Sequence, residues 1–219
     1  MKTEQKQPIF NILVIGANGG IGRKTVEIAL ATGHHVTALV RDPAKLTLTH
    51  NNLEIVRGDI MQPETFENFL DDKDAVISAL GVKAIKPTML YSEGNRNLLK
   101  AMKKRGIKRA FFISASAIEV SPVQSFFVRV FTKYILQKIL KNIYADQRIM
   151  EGLIKESDSD WTIMRPCRLT DKPMTGHYRF AINCFLKNCL TISRADVAHF
   201  MINNIGNEAT YKTTIEIAD

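Results

Sequence analysis

Residues 12–22 read ILVIGANGGIG, an apolar run that turns abruptly glycine-rich and then returns to small apolar residues. Gly16, Gly19 and Gly22 fall at intervals of three where a β-rich run ends and helical periodicity begins. In that setting the first glycine permits a tight turn, the second lets backbone approach a pyrophosphate, and the third lets the helix pack close to the sheet. The N–H groups that open the helix then face the phosphates. The spacing is GxxGxxG rather than GxGxxG. Its strand–turn–helix context separates a dinucleotide-binding turn from an ordinary one.

Outward from this stretch, strand-like and helix-like segments alternate. NILVI (11–15), HVTALV (35–40), LEIV (53–56), DAVISAL (74–80), RAFFIS (109–114) and WTIMR (161–165) read as strands. Helical patterns cover 20–31, a short stretch at 63–70, 89–104 with Gly106 just past its end, and a long region over 123–156. Continuous apolar strands alternating with helices predict parallel strands buried on both faces. The expected fold is therefore α/β, a doubly wound, mostly parallel sheet (Rossmann fold) in a single domain over 1–219. Residues 1–10 are expected to be a flexible N-terminus and 166–219 a substrate-side C-terminal part. Near the end, Ser193 and Asp196 resemble a capping box ahead of a last helix.

Composition narrows the function classes. The chain has 219 residues, 45% of them hydrophobic and 24% charged, and a net charge of +8. No apolar run approaches the ~20 residues of a membrane span, and the first residues lack the pattern of a signal peptide. A cytoplasmic protein without stable membrane insertion is expected. The basic charge fits an anionic cofactor or substrate as readily as a nucleic acid. There is no helix-turn-helix signature, zinc spacing or aromatic RNA-binding motif, so no nucleic-acid partner is expected. Cys167, Cys184 and Cys189, odd in number and without metal spacing, read as buried or free thiols, with no metal site.

The strand ends carry the remaining candidates. Arg41 follows strand two, where an acid would hold a ribose 2′-hydroxyl and an arginine would accommodate a 2′-phosphate. Lys45 lies four residues on, and the two cations favour NADP(H). Asp42 keeps NAD(H) open if it points inward. Asp59 after strand three and Gly81 after strand four sit where ligands bind in open α/β sheets.

The stretches GANGGIG, VTALVRDPAKL, GDI, DAVISALG, SEGNRNLLKAMKKRGIKR, WTIMRP, DKPMTGHY and ISRADVAHFM occur in that order from about residue 11 to residue 200. In them the chain resembles the atypical short-chain dehydrogenase/reductases of the NmrA-like group, and within it the biliverdin reductase B type of NADPH-dependent flavin reductase. The resemblance implies that Gly16, Asn18, Gly19, Gly20 and Ile21 cradle the pyrophosphate, and that Arg41 and Lys45 take the 2′-phosphate. It implies further that Asp59 and Ile60 flank the adenine, that Leu80, Gly81 and Lys83 line the ribose side, and that Ser114 and Pro166 border the nicotinamide.

The chain also departs from that group. The serine expected after strand five reads as Ala115, between Ser114 and Ser116, either of which is a candidate catalytic group. The histidine after the strand-six proline reads as Cys167, and His177 reads as a surface-loop residue. The Tyr-x-x-x-Lys pair of the wider superfamily is out of register. Tyr134 and Lys138 have the spacing and Tyr144 with Arg148 half fits, while the lysine position falls near Asp146. Tyr134 is expected to pack on an apolar face and Lys138 to be solvated.

Serines without a tyrosine, lysine or histidine suit hydride transfer from NADPH to a planar flavin- or quinone-like acceptor, which spreads charge without an immediate proton donor. The alternative is a non-catalytic, dinucleotide-binding redox sensor. Residues 125–150 combine an apolar stripe (Val128, Phe131, Ile135, Ile139, Ile143) with a basic one (Arg129, Lys133, Lys141) and the aromatics Phe126, Phe127 and Tyr134. This region is expected to cover the sheet as a surface helix and to form a lid over the substrate; an anionic membrane, a partner protein or a homodimer contact is the alternative.

Overall fold

Continuous apolar runs and helices with one apolar face pack as layers in the computed structural model, which describes residues 8–82 and 86–219. The strands are β1 (Asn11–Ile15), β2 (His35–Val40), β3 (Leu53–Arg57), β4 (Ala75–Ser78), β5 (Arg109–Ile113), β6 (Asp160–Pro166), β7 (Arg168–Thr170), β8 (Arg179–Ile182), β9 (Thr191–Ser193) and β10 (Thr213–Ala218). Eight of them form one sheet in the order β3-β2-β1-β4-β5-β6-β10-β8, and β7 pairs with β9 apart from it. All neighbours in the large sheet are parallel except β8, which runs antiparallel to β10. The chain reverses its direction of winding between β1 and β4. That switch point, at the carboxyl ends of the strands, is where an open α/β sheet leaves a crevice.

Alternation along β1 assigns its side chains to two cores. Ile12 and Val14 join Val26 and Ala29 of α1 (Gly20–Ala31) and Val197 and Phe200 of α6 (Arg194–Asn203) on one face. Leu13 and Ile15 join Leu98 and Met102 of α2 (Leu90–Arg105) and Met150 and Ile154 of α5 (Lys141–Lys155) on the other. Each fully buried large side chain contributes roughly 1.5–3 kcal/mol. Gly106 closes α2 at φ 75°, as its position just past the helix foretells. Ser193 caps α6, accepting from the Asp196 N–H at 2.9 Å and donating to its Oδ2 at 2.7 Å.

At the amino ends of the strands a buried cation ties the sheet to the segments around it. Arg109, the first residue of β5, is buried. It donates to the carbonyls of Ile205, Asp160 and Asn204 and to the hydroxyls of Thr162 and Thr210 at 2.8–3.0 Å. Its guanidinium stacks 4.0 Å from the Phe111 ring centroid and 4.5 Å from that of Tyr211.

Three expectations need correction. The short helix over 63–70 is two 3₁₀ turns, Pro63–Thr65 and Glu67–Leu70, because Phe66 leaves helical geometry (φ −136°) to bury its ring completely. The long helix over 123–156 is broken into α3 (Phe126–Phe131), a wide π-type turn (Thr132–Leu136), α4 (Gln137–Ile139) and α5, with Leu140 at φ −98°, ψ 18° between the last two. Only α5 lies on the sheet; no residue from Phe126 to Ile139 is buried, so this part is no cover for the core. Tyr134 accordingly lies exposed on the surface rather than on an apolar face, while Lys138 is solvated as expected.

Candidate functional site

The glycine turn between β1 and α1 is shaped by steric demand. Gly16 sits at φ +78°, and a Cβ there would lie 2.5 Å from the Ala79 carbonyl oxygen, so no side chain fits. A Cβ on Gly22 would collide with the Gly16 carbonyl, which is the close helix–turn approach the third glycine permits. The Gly19 N–H closes the turn onto the Gly16 carbonyl at 2.8 Å. Gly19 is the N-cap of α1, no side chain caps the helix, and its first turn holds no acid. The opening N–H groups and the positive end of the helix dipole therefore remain available to an anion. Above Gly20 lies the side chain of Arg194, the first residue of α6; a Cβ on Gly20 would come within 2.6 Å of its Nε. Arg194 is held there by an exposed carboxylate, Asp171, at 2.8 Å.

Asn18 ties this turn to the end of β2, donating to the Asp42 carbonyl at 3.1 Å. Asp42 turns its carboxylate to Lys45 at 2.7 Å, and that hydrogen bond holds its pKa below the ordinary carboxylate range. Arg41 is exposed, and among the described residues no carboxylate pairs with it. β2 and β3 place Val40 opposite Arg57, so Arg57 adds a third cation beside Arg41 and Lys45. Further along the strand ends, the Asp59 carboxylate accepts from the Met61 N–H at 3.0 Å, and Ile60 is buried with its carbonyl held by Asn97. Leu80 is half-buried and Gly81 exposed after β4, while Lys83 lies outside the described residues.

Past β5 the side chains form a buried polar chain. Ser114 donates to Glu151 Oε1 at 2.7 Å. Arg165 donates to both Glu151 oxygens, at 2.9 and 2.6 Å, and to Glu119 at 2.7 Å. Burial alone would push the Glu151 carboxyl up, but the Arg165 guanidinium and Ser114 hydroxyl outweigh it and hold Glu151 below its usual range. Ser116 is half-buried and opens onto a cleft shared with Ser121, Arg129, Cys189 and Glu216, which encloses about 50 Å³. Glu216 Oε2 accepts from the Leu186 N–H at 2.7 Å. Glu216 Oε1 and Ser121 Oγ are buried there without a protein partner. Burial raises the Glu216 carboxyl above its ordinary range. Pro166 ends β6 beside this chain, and Cys167 follows it.

Cys167 pairs with Cys189 across 22 residues, their Cα atoms 5.7 Å apart. That corrects the expectation of free thiols for these two, which folding brings together from strand-six exit and a distant loop; Cys184 is free and exposed. Neither tyrosine pair enters the site as an acid. The Tyr144 hydroxyl is buried and pushed up to about 12, and Asp146 caps α2, accepting from the N–H groups of Tyr91 and Ser92 at 2.8 and 3.2 Å. A larger hollow of about 500 Å³ lies at the opposite end of the sheet, between the carboxyl ends of α2 and α5. Its lining, including Met102, Ile107 and Leu153, contains none of the residues above.

The sequence from residue 16 to residue 208 matches the family described as NAD(P)H-binding. The chain belongs to that family. Ycf39, a photosystem II assembly factor of Synechocystis sp., is 38% identical over 109 residues, 48% of this chain and 33% of its own length. The chain spans between 33% and 61% of the lengths of the first curated relatives it matches. Two solved structures share the fold over nearly the whole chain. A wide-type short-chain dehydrogenase/reductase from Veillonella parvula in complex with NADP has a TM-score of 0.77 at 19% identity, covering 97% of this chain and 95% of that one. ChuY, an anaerobillin reductase from Escherichia coli O157:H7, has a TM-score of 0.78 at 20% identity, covering 95% and 96%. At these identities the likeness speaks for the fold. The expected NAD(P)-binding family and its α/β dinucleotide-binding fold hold.

Within this NAD(P)H-binding chain, sequence reasoning missed Arg57, Arg194, Glu151 and Glu216. Arg194 stands inside the quoted stretch ISRADVAHFM, so its place in a matching motif was a usable signal. Arg57 ends a strand, as Arg41 follows one, and was legible on the same rule. Glu151 and Glu216 gave none, because only packing against Arg165 and Leu186 makes them unusual.

Proposed function

We propose that the protein is an NADPH-dependent reductase that delivers hydride to a planar flavin- or quinone-like acceptor. The observation that supports this reading is the cluster Arg41, Lys45 and Arg57 at the ends of β2 and β3, where the Asp42 carboxylate faces Lys45. Such a cluster favours a 2′-phosphate over a 2′-hydroxyl. The glycine turn fits the rest of the dinucleotide: Gly16 and Gly22 leave no room for side chains, and the uncapped start of α1 is open to the pyrophosphate. Arg194, freed from its exposed partner Asp171, adds a cation over the same spot; an exposed pair of this kind holds by about 0–1 kcal/mol.

When bound, the dinucleotide supplies the hydride. Ser114 and Pro166 border the nicotinamide side, and the Glu151–Arg165 pair positions Ser114 by taking its hydrogen bond. Ser114 is thereby a positioning residue, and Ser116 is the hydroxyl left to face an acceptor. Ser121 Oγ and Glu216 Oε1 lack protein partners in the same cleft and are placed to bind the polar edge of a ring. A ketone's developing alkoxide concentrates charge and needs a proton donor, whereas a fused ring spreads the charge. A cleft of about 50 Å³ holds a few waters. Ring-sized ligands need roughly 300 Å³ or more, so α3 and the wide turn after it, whose Val128, Arg129 and Thr132 line the cleft, must move outward to admit one.

NADPH consumption with FMN, riboflavin and a naphthoquinone, each repeated with NADH, tests the reading. Turnover with NADPH exceeding that with NADH supports it. The small cleft also favours a second reading, a dinucleotide-binding redox sensor: tight NADP(H) binding with no turnover of any acceptor would select that one. Absence of binding to any nicotinamide coenzyme in calorimetry would end both.

A further inference from the structure

The segment 126–141 is the most conspicuous surface of the molecule that neither fold nor cofactor explains. Phe126 and Phe127 are 70% and 82% exposed, and Val130, Phe131, Tyr134, Ile135 and Ile139 extend the apolar surface along the same element. A contiguous exposed apolar surface of this kind marks a site of interaction. Arg129, Lys133, Lys138 and Lys141 lie on the same segment. No acidic residue occurs between Glu119 and Asp146, and none of these four cations has a carboxylate partner among the described residues. Lys133 instead lies 5.3 Å from the centroid of the Tyr134 ring.

We propose that segment 126–141 docks the protein peripherally on an anionic lipid bilayer. Phe126, Phe127 and Phe131 enter the headgroup–acyl boundary and Lys133, Lys138 and Lys141 meet lipid phosphates. Charge and composition choose this occupant. Phenylalanine and aliphatic residues combined with lysine and arginine on one short element are the pattern of an interfacial helix. Protein–protein interfaces are depleted in lysine, yet three of the four cations here are lysines. A second copy of the chain fits poorly, because a two-fold interface sets the same patch against itself and would press these cations together. The inner side of the same element, Val128, Arg129 and Thr132, lines the cleft beside Ser116. Docking therefore brings the mouth of that cleft to the membrane surface.

Flotation of the full-length chain with vesicles of pure phosphatidylcholine, and with vesicles containing phosphatidylglycerol, tests it at low and high salt. Binding is expected to the anionic vesicles alone and to weaken as salt rises. Lys133→Ala and Lys138→Ala are each expected to lower the partition coefficient about fivefold. Phe127→Ser is expected to lower it at least as much, with circular dichroism and dinucleotide affinity unchanged. Equal binding to neutral vesicles, or no binding to anionic ones at low salt, overturns the proposal. So does a concentration-dependent dimer that Phe127→Ser abolishes in a protein that ignores vesicles.

Discussion

The two ends of the sheet follow opposite rules. At the amino ends of the strands, the buried cation Arg109 places its hydrogen bonds on five partners and its faces on two rings. At the carboxyl ends, α1 begins uncapped, and among the described residues Arg41 has no carboxylate and Glu216 and Ser121 each bury a polar atom with no protein partner. Unmet polar groups are costly when buried. Arg109 completes its hydrogen bonds inside the protein, whereas Glu216 and Ser121 keep polar atoms unmet in a cleft. The comparison teaches where to look for chemistry in a sheet of this kind: at the end where hydrogen bonding is unfinished.

The contrast breaks first at Arg109. Arg109→Ala leaves buried carbonyls and hydroxyls without donors and is expected to cost about 3–5 kcal/mol, read by urea denaturation, while the surviving folded protein binds NADP(H) normally. A fall in coenzyme affinity with little loss of stability would show that Arg109 is not merely structural. Gly16→Val acts at the open end. Its positive φ and the neighbouring Ala79 carbonyl predict a stability loss of about 1–3 kcal/mol together with loss of coenzyme binding by calorimetry.

Smaller effects sharpen the comparison. Arg41→Ala and Arg57→Ala are each expected to weaken NADPH by about 1.5–3 kcal/mol, the worth of a hydrogen bond to a charged group, and to leave NADH unchanged. Equal loss for both coenzymes would remove the 2′-phosphate from the argument. Acid titration separates two carboxyls of the open end by sign. Glu151 is held below its unfolded value by Arg165, so its stabilisation is complete above that value and is lost as pH falls through the folded one. Glu216 is raised by burial, so its carboxyl favours folding only below the unfolded value and loses that contribution as pH rises through the folded one. Glu216→Gln is therefore expected to stabilise at neutral pH and to change little below about pH 4, as followed by thermal unfolding. Stabilisation that is the same at both pH values would deny Glu216 its burial cost.

Much of the glycine turn and the cations at the strand ends was legible from local chemistry. Gly16, Gly19 and Gly22 announce a turn because only glycine tolerates the contacts there, and Arg41 is fixed one residue past a strand of unmistakable pattern. The acceptor side was not. The serine at the key position was ambiguous between Ser114 and Ser116, and only the Glu151 hydrogen bond separates them. The cysteine pair, Cys167 with Cys189, could not be inferred from three unpaired thiols spaced without rule. The break of the expected long helix at Leu140 has no glycine or proline to signal it. Helical propensity runs on through 126–139, and burial stops there.

Sequence alone determined the alternation of strands and helices, the glycine turn, the cations at the strand ends and membership of an α/β dinucleotide-binding fold. These depend on periodicity and on steric limits that act within a few residues. Tertiary structure alone decided which carboxylates are paired, which polar atoms are left without partners, and which aromatic surface faces outward. Those properties depend on distance between residues far apart in the chain, and distance is set only when the layers pack.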